Sequence, residues 1–343
     1  MKILYYVPNL QLCNGVASYV MNYYMNLINE GHKIDFLLSE DVDTPYYEKI
    51  KSNGSNIYFF PKKSINKRLN DILDNGYDII HSNVINRGAF LLKIAKKRGC
   101  KVRILHSHTT SNGDTIIKRI IRWPLKKMAL KNANYYFSCS EAAGNYLFGK
   151  KKFYVLNNAV DVERFKTEKS SNNTSIIAGT VGRLTKQKNP FFILDIVKEL
   201  KEKSIIDKFI WIGNGELKEK IHNKARLYKL TEFIDFIDNT SEVEKFYSKM
   251  NIFILPSNYE GLPISGIEAQ VAGLTCVFSD KISKEILIND NTYMIPLKKH
   301  LWIEMIANHL HDECLDNCAK VKYSLDNNFN ILLNIYKEIS NGK

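Results

Sequence analysis

The stretch PSNYEGLPISGIEAQVAGLTCVFSD, residues 256–280, leads from a strand end through a turn into a short helix and on to another strand. Ile264, Ile267 and Val271 recur at helical spacing and mark one apolar face, yet Glu268 stands on that face, four residues after Ile264. Burying an ionised carboxylate is costly unless it is paired or strongly hydrogen-bonded. A second glutamate, Glu260, lies eight residues earlier, in the turn. Such an acid faces either a buried cation or a ligand, and the stretch itself contains no Lys or Arg. In open α/β sheets, ligands bind beyond the carboxyl ends of the strands.

The same alternation extends in both directions. SIIAGTVGRL, KFIWIGNG, FIDFIDN and IFILPS precede the quoted turn, TYMIPL follows it, and helical segments separate them. An earlier series comprises KILYYVP, KIDFLLS, NIYFFP, YDIIHSN, KVRILHSH, YYFSCS and KFYVLNN. Most of these runs are continuously apolar, as parallel strands covered on both faces require. VDVERFKTEKSSNNTS, residues 160–175, is polar and aperiodic and reads as an interdomain linker. LDNCAKVKYSLDNNFNILLNIYKEI, residues 315–339, reads as one terminal helix. The expected fold class is α/β, with Rossmann-like domains at 1–162 and 163–314 and a ligand cleft between them. Residues 315–343 are expected to form a helical segment returning towards the first domain.

The 343 residues, 45% hydrophobic, suffice for two domains. No apolar run is long enough for a transmembrane helix, and the N-terminus lacks a signal-peptide layout. Six cysteines without a C-x-x-C pair point to free thiols in a reducing cytoplasm rather than to zinc or disulfides. The formal charge of +13 favours anionic partners. No nucleic-acid recognition motif accompanies it, so nucleic acid is not expected.

In TVGRLTKQKNPFFILDIVKEL, residues 180–200, a strand ends at Val181, Gly182 permits a tight exit, and a helix is expected to start with Asn189 as N-cap and Pro190 as first residue. Arg183 and Lys188 then sit above a helix N-terminus, a receptor for phosphate or diphosphate. The alternative is two solvated loop cations. Gly213 and Gly215, in IGNGELKEKI, read as turn residues. Pro263 is expected to open the next helix, leaving amides near Leu262 and Ile264 outside its ladder. A carboxylate accepts from two vicinal hydroxyls, and helix amides suit a phosphate.

On these residues the chain resembles the retaining glycosyltransferases of family 4, which have the GT-B fold. Residues 256–280 match their E-x7-E region, VGRLTKQKN their donor loop, and VLNNAVDVERF their linker motif. NGVASYVMNYYMNLINEGHKIDFL is similar to their first loop and helix, and YDIIHSN and ILHSHTT match later strand ends. The resemblance implies that Arg183 and Lys188 hold the diphosphate of a nucleotide-sugar donor, that Glu268 binds ribose hydroxyls, and that Glu260 binds the donor sugar. Gly15, Gly261, Leu262, Pro263 and Ile264 would line the donor. His106 and Glu260 would be catalytic, His106 contacting sugar or acceptor; His108 is its rival, His81 has a weaker claim, and His300, His309 and His311 read as surface. The sequence departs from the pattern at Asn14-Gly15, where two glycines are usual, and at Ala159, where glycine is common.

Lys118, Arg119, Arg122, Lys126, Lys127 and Lys131 alternate with Ile120, Ile121, Trp123, Leu125, Met128 and Leu130. Such a helix can lie on an anionic membrane, with Arg119, Arg122, Trp123, Lys126 and Lys127 facing it. Pro124 is expected to kink or break it. The alternative is a solvated basic face. Overall, the resemblance implies a retaining transferase acting from a UDP-sugar on a glycan or lipid-linked acceptor in cell-surface polysaccharide synthesis, without metal or cofactor. A cytoplasmic protein peripheral to the inner membrane face is expected. A nucleotide-sugar 2-epimerase of the same fold and a non-catalytic donor-binding subunit are the alternatives. A Rossmann dehydrogenase is disfavoured because NLQLCNG lacks G-x-G-x-x-G.

Overall fold

Every apolar run forms a parallel strand. In chain order these are β1 (Lys2–Val7), β2 (Lys33–Leu38), β3 (Ile57–Phe59), β4 (Ile79–Ser82), β5 (Val102–Ser107), β6 (Tyr135–Ser138), β7 (Tyr154–Val155), β8 (Ile177–Val181), β9 (Lys208–Ile212), β10 (Ile234–Ile237), β11 (Ile252–Leu255), β12 (Thr275–Ser279) and β13 (Thr292–Ile295). The computed structural model describes residues 1–110, 116–165 and 175–342, without the side chains of Ile116, Lys118 and Arg119. The chain divides into Met1–Ala159 with Leu325–Lys343, and Val160–Ser324.

The first unit holds a seven-stranded sheet of order β3-β2-β1-β4-β5-β6-β7, and the second a six-stranded sheet of order β10-β9-β8-β11-β12-β13. Both are doubly wound: the order reverses beside the first strand, between β1 and β4 and between β8 and β11. Every residue of β4, β11 and β12 is buried, which follows from helical cover on both faces.

Two boundaries differ from the sequence reading. Glu163–Phe165 form a 3-10 turn in the second unit, with Phe165 buried and its ring 5.7 Å from that of Tyr247, so the linker stretch starts as packed structure. One buried aromatic outweighs the polar composition around it. The tail is two helices, Cys318–Lys322 and Leu325–Ser340. They part at Tyr323 and Ser324, where the Val160 N–H donates to the Tyr323 carbonyl and Val160 bridges Ser324. The longer helix belongs to the first unit and buries Phe329, Leu332, Leu333, Tyr336 and Ile339.

The basic helix runs unbroken from Ile116 to Asn132, with Pro124 inside it. Pro124 removes the donor to the Ile120 carbonyl, and both residues are exposed, so water can take that carbonyl. Among the described residues, no helix is long and apolar enough to cross a membrane.

Candidate active site

Arg183, Lys188, Glu260 and Glu268 are carried by the segments that leave β8 and β11, the two strands at the reversal point of the second sheet. Gly182 carries Lys188 across its backbone: a Cβ there would lie 3.0 Å from Lys188 Cε. The helix after this loop begins at Pro190 as expected, but Asn189 is left-handed (φ 56°) and makes no side-chain cap. Its short polar side chain tolerates that conformation and lets the chain reverse after Lys188.

The two segments are tied together. The Asn258 N–H donates to Gln187 O (2.8 Å), Asn258 Nδ2 to Lys186 O (2.7 Å) and Gln187 Nε2 to Tyr259 O (3.1 Å). Lys188 Nζ meets Glu260 Oε1 at 2.8 Å, both side chains being largely buried, and Ser257 Oγ donates to the same oxygen at 3.2 Å. The Arg183 guanidinium, half-buried, has no hydrogen-bond or ion-pair partner among the described residues. Of the two cations, one is therefore already neutralised and the other is not.

The loop after β9 seats Arg183. A Cβ on Gly213 would stand 2.1 Å from Gly182 O, and one on Gly215 2.6 Å from Leu184 O. Leu184 N donates to Asn214 O at 3.0 Å, and Leu217 N to Leu184 O at 3.0 Å. The glycines thus do more than turn the chain: any side chain there would push the Arg183 loop away.

The helix Ile264–Val271 buries Ile264, Ile267 and Val271, and Pro263 stands just before it. Its first backbone bonds run from Gly266 and Ile267 to Pro263 O, which leaves the Ile264 and Ser265 amides outside the ladder. Gly261, Leu262, Pro263 and Ile264 are buried and anchor this start. Glu268 meets no cation within 4.0 Å among the described residues; its partner is Tyr247, whose hydroxyl donates to Oε2 at 3.0 Å. The side chain keeps some accessible surface. Crowding by protein still raises its carboxyl to about 7, against the opposing effects of the Tyr247 hydrogen bond and the Arg164 charge.

In the first unit, Gly15 follows β1, Asn83 follows β4, and His106 and His108 lie at the end of β5. Asn14 caps the first helix, its side chain accepting from Val16 N. A Cβ at Gly15 would meet nothing within 4 Å, so packing does not demand glycine there, and the bare backbone stands open to a close ligand. The histidines separate by depth: His81 and His106 are buried, whereas His108 is partly exposed. A hydrogen-bonded chain runs from Tyr5 to Tyr336 (2.8 Å), His81 (2.6 Å) and His106 (2.9 Å), and His106 stacks on His108 at 4.1 Å. Desolvation lowers all three imidazoles, His108 to about 3, and keeps them uncharged.

On the basic helix, Ile117, Ile120, Ile121 and Trp123 are exposed, and Lys127 Nζ sits 3.8 Å over the Trp123 ring. Leu125, Met128 and Leu130 pack against the core instead. Arg122 and Lys126 are half-buried, and the Arg119 side chain lies outside the described residues. Among the described side chains, those turned outward near the helix start are apolar, and Lys127 and Lys131 are exposed further along.

Comparison with known proteins gives these sites a setting. Residues 13–164 match the Glycosyltransferase Family 4 model and residues 161–324 the Glycosyl transferases group 1 model. Both halves of the chain are glycosyltransferase domains. This glycosyltransferase is 28% identical to EpsF of Bacillus subtilis (strain 168), which carries a provisional glycosyltransferase name, over 94% of this chain and 93% of that protein. It is 24% identical to the Escherichia coli UDP-Gal:alpha-D-GlcNAc-diphosphoundecaprenol alpha-1,3-galactosyltransferase, over 76% and 74% of the two chains. The crystal structure of Anabaena HepE in complex with UDP and glucose superposes with a TM-score of 0.80 at 13% identity, covering 98% of this chain and 99% of that one. The fold is that of the GT-B glycosyltransferases.

Sequence reasoning missed Tyr247, Asn83 and the seating role of Gly213 and Gly215. Tyr247 comes from the separate short helix Glu244–Tyr247, and nothing in its local sequence marks it. The glycine pair was visible, but its partner loop lies about thirty residues away in sequence.

Proposed function

We propose that the protein moves a sugar from a nucleotide-diphosphate donor, a UDP-sugar, to a glycan or lipid-linked saccharide, with retention at the anomeric carbon, in cell-surface polysaccharide synthesis. The observation that carries this reading is the gathering of Arg183, Lys188, Glu260 and Glu268 at one reversal point. In the proposed roles, Arg183 and Lys188 neutralise the diphosphate and stabilise it as it leaves, without need of a metal. The open amides of Ile264 and Ser265 suit the same group. Glu268, held through Oε2 by Tyr247, keeps Oε1 for the ribose hydroxyls. Glu260 exchanges part of its contact with Lys188 for a sugar hydroxyl. Gly15 offers open backbone to a phosphate. His108, the accessible histidine, contacts a saccharide hydroxyl, and His106 supports it from beneath.

The galactosyltransferase relative supports a diphosphoundecaprenol-linked acceptor, and the crystal structure of HepE in complex with UDP-glucose supports a UDP-sugar donor, since their names carry those ligands. The outward Ile117, Ile120, Ile121 and Trp123, flanked by lysines, support docking on anionic lipid at the inner membrane face.

A donor screen following free nucleoside diphosphate, with and without lipid-linked acceptor, tests the reading. Acceptor-dependent release with a product whose anomeric configuration matches the donor is expected. Acceptor-independent release accompanied by a 2-epimer of the sugar would instead identify an epimerase. Donor binding without turnover in the presence of acceptor would identify a non-catalytic subunit.

A further inference from the structure

Asn83 is buried at the end of β4, in the reversal point of the first sheet, and its backbone N–H donates to Tyr6 O of β1 at 2.8 Å. Its side chain has a fixed sense. Nδ2 faces the same Tyr6 carbonyl at 3.4 Å, so the atom lying 2.7 Å from His108 Nε2 is Oδ1. A turned amide would set two oxygens against each other at Tyr6. Oδ1 can only accept, so His108 Nε2 must carry a proton.

A neutral imidazole has one proton. If it resides on Nε2, Nδ1 presents a lone pair. The ring's surroundings keep it neutral. Its ionisable neighbours are His106, stacked at 4.1 Å, Tyr19, edge-on at 5.1 Å, and His81 one ring further on; no carboxylate lies within 4.0 Å of it among the described residues. No described group takes Nδ1, and the side chain is partly exposed.

We propose that Asn83 is a positioning residue that locks His108 in the Nε2–H tautomer and so makes its Nδ1 a hydrogen-bond acceptor for a hydroxyl of the saccharide substrate. The assignment of a saccharide rests on the proposed function; the tautomer does not. His108 thereby receives a proton-bearing group and donates none: it suits a neutral polyol hydroxyl and discriminates against a bare anion. His106 differs. Its Nδ1 is engaged by His81, and its Nε2 is buried without a partner, so it cannot replace His108 at an open surface.

Long-range proton–nitrogen correlation spectra of the full chain test this without substrate. Expected for the wild type is a single neutral Nε2–H form of His108 from pH 5 to 9. An Nδ1–H form, or a ring titrating near the ordinary histidine value, overturns the proposal. In Asn83→Asp the new carboxylate should charge the ring at neutral pH. The kcat/KM should then gain a rising limb, falling about tenfold from pH 8 to pH 6 beyond any wild-type change, with the donor KM unaltered. A purely structural residue would not produce that limb, and an unchanged profile with unchanged spectra overturns the proposal. Asn83→Leu provides a variant without a buried charge: mixed His108 tautomers and roughly tenfold lower kcat/KM are expected. Retention of the pure Nε2–H form in that variant also overturns it.

Discussion

At its reversal point the second sheet gathers Arg183, Lys188, Glu260 and Glu268, whereas the first, built in the same strand order, gathers Asn83, His106 and His108 beside Gly15. One group is charged and partly self-neutralised; the other is polar but held uncharged by burial. The difference matches two demands of glycosyl transfer. Under the proposed function a departing diphosphate meets positive charge that is already oriented, while a saccharide hydroxyl meets an uncharged acceptor. One topology thus serves opposite electrostatics through the few residues that follow its inner strands.

The sharpest way to break the comparison is to remove each cation separately. Lys188→Ala should lower kcat/KM by about 100- to 1000-fold and also destabilise the fold by about 3 kcal/mol, because Glu260 stays largely buried while losing its cation. Arg183→Ala should lower activity by about 100-fold with an unchanged melting temperature, since no described group depends on its guanidinium. Steady-state rates and thermal melts on the same preparations separate the two. Gly213→Ala should behave like a mild form of both: its Cβ would stand 2.1 Å from Gly182 O, costing about 2 kcal/mol and displacing Arg183.

The pH dependence sharpens the contrast. The ionised form of Glu268 is the one that accepts from two hydroxyls, and its carboxyl titrates at about 7. Affinity for a nucleotide sugar, measured by calorimetry, should therefore fall roughly tenfold as pH drops from 8 to 6. Glu268→Gln should bind about tenfold more weakly at pH 8 and lose that slope. A slope that survives the substitution would assign the titration elsewhere. The smallest effect concerns the membrane. Lys127→Ala should reduce partition onto anionic vesicles about fivefold and leave neutral vesicles unaffected, read by flotation.

The strands were legible because continuous apolar runs admit little else, and the anomaly of Glu268 was legible as an acid on an apolar face. What Glu268 meets was not, since Tyr247 lies twenty-one residues away on another helix. The pairing of Lys188 with Glu260 spans seventy-two residues and depends on how two loops lie across each other. A list of motif residues makes both lysine and arginine look like waiting cations; only the packed loops distinguish them. The sequence put His106 of KVRILHSH first and His108 as its rival, and could not separate them by depth, because period-two alternation does not say which end of a strand emerges from the core. The helix break at Tyr323–Ser324 was not legible because neither residue is a strong breaker, and a tertiary contact to Val160 decides it.

The return of the helix Leu325–Ser340 to the first unit has a consequence for biogenesis. The Tyr336 hydroxyl belongs to a hydrogen-bonded network reaching Tyr5 and His81, so the opening strands wait for a segment more than three hundred residues further along the chain. The second unit, contiguous from Val160 to Ser324, needs no such distant segment. Synthesis of residues 325–340, rather than emergence of the amino-terminal half alone, is then the event that completes the histidine-bearing half.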